Sequence, residues 1–121
     1  MIKVSEAAEQ EALVQWLALH KIPCFAAPSS FFSGKRDGNF YGMLAKLKKA
    51  GWSKGFVDII IFLPGKTLYI EMKRSDGGTV SKEQRQWHKT LKDTGNLVYV
   101  CNGFNGAVDC IKQHMEIDNE R

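Results

Sequence analysis

The chain has 121 residues, of which 44% are hydrophobic and 11% aromatic, and its formal net charge is +4. This length suits one compact domain, residues 1–121, and leaves no room for a second. Three cysteines without a C-x-x-C pair exclude a disulfide framework or a zinc site and favour a reducing compartment. No apolar stretch approaches the ~20 residues of a membrane span, and the N-terminal segment lacks the apolar core of a signal peptide. We therefore expect a soluble, cytoplasmic protein with no membrane partner.

The first third of the chain predicts two helices separated by a polar loop. The first helix has Ser5 as its N-cap and ends before Pro23, with an apolar stripe along one side. The loop, residues 29–39, contains glycine and basic residues. A shorter helical pattern follows over residues 40–50, with Gly51 as its C-cap.

The remainder predicts a hairpin, a helix, a strand and a last helix. Two strands, residues 57–63 and 66–73, flank a Pro-Gly turn. The next helix has Ser81 as N-cap and Gln84 closing a capping box, and it ends at Gly95. A strand over residues 96–102 and a helix from residue 103 complete the order α-α-β-β-α-β-α, which implies an α/β fold with a mixed sheet flanked by helices.

Positive charge is concentrated in residues 35–54, which contain six basic residues and one aspartate. Such a concentration is typical of a polyphosphate partner, although a solvated, lysine-rich helix face would give the same pattern. The six residues are Lys35, Arg36, Lys46, Lys48, Lys49 and Lys54.

The hairpin carries charged residues at strand positions where apolar ones would be expected. If the turn is centred between Pro64 and Gly65, facing residues have numbers that sum to 129, and Asp58 with Glu71 satisfies this. Directly opposed residues have Cβ atoms about 4.5–5.5 Å apart. Lys73, two residues beyond Glu71, lies on the same face because the strand period is 2.

Two carboxylates at that range repel unless a positive charge lies between them, and a divalent cation would provide it. Carboxylate oxygens and water suit Mg²⁺ or Mn²⁺. The adjacent lysine could orient a water molecule or neutralise charge on a phosphate. The alternative is an exposed Asp58 at a strand end and a solvated Glu71–Lys73 pair on an outer face.

Asp58 followed by Glu71-Met72-Lys73 resembles the D…(D/E)-x-K core of the PD-(D/E)xK nuclease superfamily, and the surrounding sequence is similar to its VRR-NUC branch. The similarity extends over about residues 5–112 and includes an S-x-x-Q-x-x-W helix and a G-x-x-V-x-V strand. These motifs correspond to Ser81, Gln84, Trp87, Gly95, Val98 and Val100. Val57 stands where this superfamily usually has proline, which shapes the start of the strand and carries no chemistry.

The resemblance implies a restriction-endonuclease-like fold and site residues beyond the three in the hairpin. A glutamate on the first helix would join the metal site, together with the Met72 backbone carbonyl. At about 100° per residue, Glu6 and Glu9 fall on the apolar stripe of that helix whereas Glu11 points the opposite way, so Glu6 or Glu9 is favoured. Either one could instead be a helix N-terminal residue favoured by the dipole.

Gln84 has two possible roles that can coexist, whereas Trp87 and the histidines are assigned no part in catalysis. The resemblance gives Gln84 a place lining the active site, whereas the sequence alone assigns it to the capping box. Trp87 is predicted to belong to the core rather than to stack on bases. The three histidines show no metal-ligand spacing and are assigned no role.

The activity implied is Mg²⁺- or Mn²⁺-dependent hydrolysis of DNA phosphodiester bonds, with Asp58, Glu71, Lys73 and Gln84 at the catalytic centre. Compact VRR-NUC proteins of phage or bacterial type resemble Holliday junction resolvases, so we expect branched DNA as substrate and a homodimer. The basic segment would hold the DNA backbone without reading bases. Two alternatives remain: a less selective nuclease for flaps or single-stranded ends, and a nucleic-acid-binding module without catalysis.

Overall fold

The computed structural model describes residues 4–26 and 38–119, and the side chains of residues 4–26 and 39–115. Its elements, in chain order, are α1 (Glu6–Leu19), β1 (Cys24–Ala26), α2 (Gly38–Lys49), β2 (Ile59–Leu63), β3 (Lys66–Lys73), α3 (Lys82–Asp93), β4 (Leu97–Asn102) and α4 (Gly103–Asn119). Most of the predicted loop at residues 29–39 lies outside the described residues. Within the described ranges, no helix has the length and apolar character needed to cross a membrane.

The four strands form one mixed sheet in the order β1-β2-β3-β4. The pairs β1–β2 and β2–β3 are antiparallel, whereas β3 and β4 are parallel and connected through α3. In the central hairpin Ile59 pairs with Ile70 and Leu63 with Lys66, so facing residue numbers sum to 129. The predicted register is confirmed. Gly65 has a φ of +75° in the turn, which glycine adopts without steric cost.

Helices cover both faces of the sheet. On one face, buried residues of β2 and β3 such as Ile61 and Ile70 pack with Leu13 and Leu17 of α1 and Ile111 of α4. A smaller cluster on the other face joins Val57, Leu91 and Val98, with Trp87 of α3 packed against it. The α/β architecture with a mixed sheet between helices is as predicted. The alternation of β3 places Glu71 and Lys73 on the α3 side.

The edge strand β1 was not predicted. It has only three residues, and two of them are exposed, so no alternation of apolar and polar residues marks it in the sequence. It forms because its backbone pairs with β2, with Cys24 opposite Ile61, and because the Phe62 N–H donates to the Pro23 carbonyl at 3.0 Å. The observed order is therefore α-β-α-β-β-α-β-α.

Predicted helix ends agree with the structure. The Ser5 hydroxyl accepts a hydrogen bond from the Ala8 N–H at 3.1 Å and caps α1. Ser81 and Gln84 form the predicted capping box at the start of α3. Gly51 and Gly95, which follow α2 and α3, both have positive φ, the conformation that commonly ends a helix.

Candidate active site

Asp58 and Glu71 lie side by side where β2 begins and β3 nears its end. Asp58 is one residue before the first β2–β3 pair and its N–H donates to the Ile70 carbonyl at 3.2 Å. Its Oδ2 accepts a hydrogen bond from the Met72 N–H at 2.7 Å. Glu71 is 1% exposed, and its carboxyl group is hydrogen-bonded to that of Asp58. The hairpin register therefore brings the two carboxyl groups together.

The electrostatics of this pair are those of two acids that cannot both ionise freely. The pKa of Glu71 is raised to about 9, first by burial and then by the hydrogen bond and the charge of Asp58, while the charge of Lys73 opposes the rise. Opposed carboxylates of this kind keep a proton unless a cation replaces it. Two adjacent carboxylates are also the protein share of many Mg²⁺ sites, which otherwise consist of water and substrate phosphate. The donor set thus fits a hard divalent cation.

Lys73 and Gln84 complete a hydrogen-bonded row beside Glu71. The Lys73 Nζ donates to Gln84 Oε1 at 3.1 Å, and the Gln84 Nε2 donates to Glu71 Oε2 at 3.0 Å. An ammonium can only donate and a carboxylate prefers to accept, so these two neighbours fix which end of the amide faces which group. The Ser81 N–H also donates to Gln84 Oε1, at 2.9 Å. Gln84 therefore caps α3 and contacts the site at the same time.

The segment after β3 covers Lys73. Lys73 is only 6% exposed, and a Cβ added to Gly78 would lie 3.2 Å from the Lys73 Cδ. The aliphatic stem of the lysine is thus packed against Gly78, while its ammonium points to Gln84. A long side chain that buries its stem in this way holds its charged end in a defined place.

His88 contacts the site although the sequence analysis assigned it no role. Its Nε2 lies 3.4 Å from Glu71 Oε1, and its side chain is largely buried. Burial first, then the charges of Lys92 and Lys73, lower the pKa of His88, and the charge of Asp58 opposes this. The signal that could have found it is helical spacing, because His88 follows Gln84 by four residues and shares its helix face.

The two glutamates proposed on α1 differ in their surroundings. Glu9 is 9% exposed, and its Oε2 and Oε1 accept hydrogen bonds from the Ser75 N–H at 3.0 Å and the Phe104 N–H at 3.1 Å. Glu6 is exposed, and its charge contributes to the raised pKa of Glu71. Within the described ranges, no cluster of three or more histidine, cysteine or acidic side chains is placed to hold a metal ion. The two carboxylate oxygens of Glu9 are thus engaged by backbone N–H groups, whereas Glu6 is the exposed acid of the two.

Glu9 instead joins three elements. It lies on α1, Ser75 follows β3, and Phe104 is in the first turn of α4. Gly103 has a φ of +72°, and a Cβ there would lie 2.8 Å from Glu9 Oε1. Glycine is therefore required at position 103 both by its backbone conformation and by the nearby carboxylate.

Changing Glu9 to glutamine is expected to lower the free energy of unfolding by about 2–3 kcal/mol, because a buried hydrogen bond to a charged acceptor is worth about 1.5–3 kcal/mol. The amide keeps the size of the side chain but offers one acceptor where two backbone N–H groups need one each. Denaturant unfolding measures the change. Glu11→Gln, exposed on the same helix, is the matched control and should stay within about 0.5 kcal/mol. Equal stability of the two variants would contradict this role for Glu9.

The predicted basic residues lie in different places. Lys46, Lys48 and Lys49 are exposed in the last turn of α2, and Lys54 is exposed in the connection to β2. Lys35 and Arg36 lie outside the described residues. Cations at a helix C-terminus also interact favourably with the helix dipole, so the position of the three α2 lysines serves the fold as well.

The side chains of Met72 and Trp87 pack on opposite faces of the sheet. The Met72 side chain is buried on the face opposite Glu71, so only its backbone lies on the side of the carboxylates. Trp87 packs edge-on against Phe56 with ring centroids 5.1 Å apart and is half-buried, as its predicted core role requires.

Comparisons with known proteins agree on one family. The profile of the VRR-NUC domain matches residues 4–105, most of the chain. A solved structure described as a "VRR_NUC domain protein" has 19% sequence identity and a TM-score of 0.74, over 96% of this chain and 92% of that one. At this identity the likeness concerns the fold alone. A search of curated proteins gave no significant match. The chain therefore belongs to the VRR-NUC domain family and has its nuclease-type, mixed α/β fold.

Proposed function

We propose that this protein is a Mg²⁺- or Mn²⁺-dependent endonuclease that hydrolyses phosphodiester bonds in structured DNA, acting on branched DNA as a homodimer similar to Holliday junction resolvases. The observation that carries the proposal is the row of Asp58, Glu71, Gln84 and Lys73 at one end of the central hairpin. We propose further that residues 1–121 form one nuclease domain and that it works in the cytoplasm of a bacterial or phage-infected cell.

The carboxylates have the role of ligands in this proposal. Asp58 and Glu71 would hold one or two ions, with the Met72 carbonyl and Glu6 as additional oxygen donors. When bound, the metal supplies positive charge that polarises the scissile phosphate. The hydrogen bond from the Met72 N–H holds Asp58 Oδ2 in place, the one from Gln84 holds Glu71 Oε2, and His88 Nε2 lies 3.4 Å from Glu71 Oε1. The donors are thus oriented before any ligand arrives.

Lys73 is the group that acts on the phosphate and the attacking water. Its ammonium is held beside Glu71 by Gln84, in a place where water has little access. Fixed positive charge in such a place stabilises the negative charge that develops on a phosphate far better than a solvated lysine does. In the overall reaction, water adds to phosphorus, the bond from phosphorus to one bridging oxygen breaks, and that oxygen leaves with a proton.

The exposed lysines of α2 and Lys54 are proposed to hold the DNA backbone. They are exposed on the surface, and lysine ammonium groups suit contacts to phosphate. Affinity should then fall steeply with salt and depend little on sequence.

Cleavage of end-labelled DNA tests the proposal. Four-way junction, splayed-arm, flap and plain duplex substrates are incubated with the protein in Mg²⁺, in Mn²⁺ and in EDTA, and its mass in solution is determined by light scattering. Paired, symmetric nicks in the junction by a dimer, absent in EDTA, are the expected result. Cleavage of flaps and single-stranded ends instead would establish the less selective nuclease, and DNA binding without any cleavage would leave only a binding module.

A further inference from the structure

A groove next to the candidate active site has the composition of a surface for single-stranded nucleic acid. It runs between the end of α2 and one side of α3, has a volume of about 680 Å³, and is lined by Lys48, Trp52, Lys54, Glu83 and Trp87 among others. This is within the range of roughly 300–1,000 Å³ that ligand sites of proteins occupy. Two of the three tryptophans of the chain and two of its exposed lysines thus line one groove.

The tryptophan side of the groove is held in position. The Trp87 Nε1–H donates to the Ser53 hydroxyl at 3.3 Å, and the ring packs edge-on against Phe56. Trp52 and Trp87 also line a smaller apolar cavity of about 280 Å³ that adjoins the groove. Packing against the core therefore accounts for only part of the Trp87 surface. An indole with its polar N–H satisfied inside the protein and part of its ring on a groove is a preorganised surface for stacking.

The charged side of the groove suits phosphate. Lys48 and Lys54 are exposed, and among the residues that the structure describes Glu83 is the one acid that lines the groove with them. The pKa of Glu83 is lowered, first by its own backbone N–H and also by the charge of Lys54. Glu83 thus offsets part of the positive charge of the groove. Removing the charge of Glu83 should therefore strengthen the binding of an anion.

The groove and the carboxylate pair share the first turn of α3. Glu83 lines the groove, and the next residue, Gln84, contacts Glu71 and Lys73. Gly55, between the groove residue Lys54 and Asp58, lies so close to this turn that an added Cβ would be 2.6 Å from the Glu83 Cβ. A DNA strand in the groove would therefore contact the residue of α3 that directly precedes a residue of the candidate active site.

We propose that this groove binds an unpaired segment of DNA, with a nucleobase against Trp52 and Trp87 and the flanking phosphates at Lys48 and Lys54. Cations that follow the backbone and aromatic rings that stack on bases are the combination by which proteins bind single strands. A fully paired duplex keeps its base faces stacked and could use only the lysines. The inference deepens the proposed function and rests on it for the identity of the polymer, but the binding itself requires no cleavage.

The test measures binding by fluorescence anisotropy, with the full chain in EDTA so that nothing is cut. The labelled probes are an oligothymidylate of about ten nucleotides and an abasic oligonucleotide of equal length. Since stacking on one aromatic side chain typically changes affinity by roughly tenfold or more per base, the thymidylate should bind about tenfold more tightly than the abasic probe. Trp52→Ala should remove that difference and leave the abasic affinity unchanged, and Trp52→Leu, which keeps an apolar side chain, should do the same if the alanine variant does not fold.

Charge variants separate stacking from simple attraction. Lys54→Ala should weaken both probes and reduce the salt dependence by about one counterion, whereas Glu83→Gln should tighten both. Trp16→Phe, in α1 on the other face of the sheet, is the matched control and should change neither. Equal affinity for the two probes, or competition by polyglutamate as effective as by thymidylate, would overturn the proposal.

The outcome is independent of the catalytic proposal. A thymidylate preference that depends on Trp52, in a protein that cuts no DNA with Mg²⁺ or Mn²⁺, would support the binding groove and contradict the proposed nuclease activity. Metal-dependent cleavage without that preference would support the nuclease activity and contradict the proposed binding groove.

Discussion

Replacing Lys73 by methionine is expected to lower the rate of DNA cleavage by at least about a hundredfold, the usual effect of losing one charge-stabilising donor in an active site. Methionine keeps an unbranched, apolar stem where that of lysine packs beneath Gly78. Gln84 Oε1 still accepts from the Ser81 N–H, so no acceptor is left without a donor. The fold should therefore remain while the chemistry is lost. Single-turnover cleavage rates and binding of uncut DNA in EDTA measure the two effects separately.

A second lysine serves as the matched control for this substitution. Lys112 is exposed on α4, which packs on the face of the sheet opposite Lys73. Lys112→Met removes the same charge and should leave cleavage within about twofold of the native rate, because a remote, screened charge contributes little. If Lys73→Met cut DNA as fast as Lys112→Met, the role assigned to Lys73 would be wrong.

Changing Asp58 to asparagine is expected to abolish the thermal stabilisation that Mg²⁺ or Mn²⁺ gives the native protein, and to lower cleavage by at least about a hundredfold. A ligand that binds only the folded state stabilises it in proportion to the logarithm of its concentration, so a lost site is visible as a lost shift in melting temperature. The asparagine carbonyl can still accept from the Met72 N–H, as Asp58 Oδ2 does.

The same substitution removes one of two opposed acids. In the native protein, burial and Asp58 together raise the pKa of Glu71 to about 9. An amide in place of Asp58 can donate to an ionised Glu71, so the variant does not need the proton that the native pair keeps, and in EDTA it should melt at the native temperature or above. Asp109→Asn, exposed on α4, is the control and should keep the full metal shift. A metal shift that survived in Asp58→Asn would exclude Asp58 as a ligand.

The hairpin was the part of the site that the sequence predicted best, because its register depends on local geometry alone. A two-residue turn and a period of 2 determine which residues face each other, and the pairing of Ile59 with Ile70 follows that rule. The capping box of α3 is likewise local, and it positioned Gln84 correctly at the start of the helix.

The parts that the sequence did not predict depend on contacts between distant segments. Strand β1 exists because β2 offers it an edge, and nothing in its three residues marks it. His88 becomes part of the site only when α3 packs on β3. The apolar stripe predicts that Glu9 is buried, which is correct, but it could not predict that its oxygens accept from backbone groups 66 and 95 residues away.

The long-range bonds of Glu9 have a consequence for the protein while it folds. The two carboxyl groups belong to one hairpin, whose strands are adjacent in the sequence and pair without help from the chain ends. Lys73, however, is covered by the segment that begins at Ser75, and Ser75 is tied to α1 and α4 through Glu9. An incomplete chain thus has the acids without the positioned ammonium. The complete candidate site would therefore assemble only once the first and last helices are both in place.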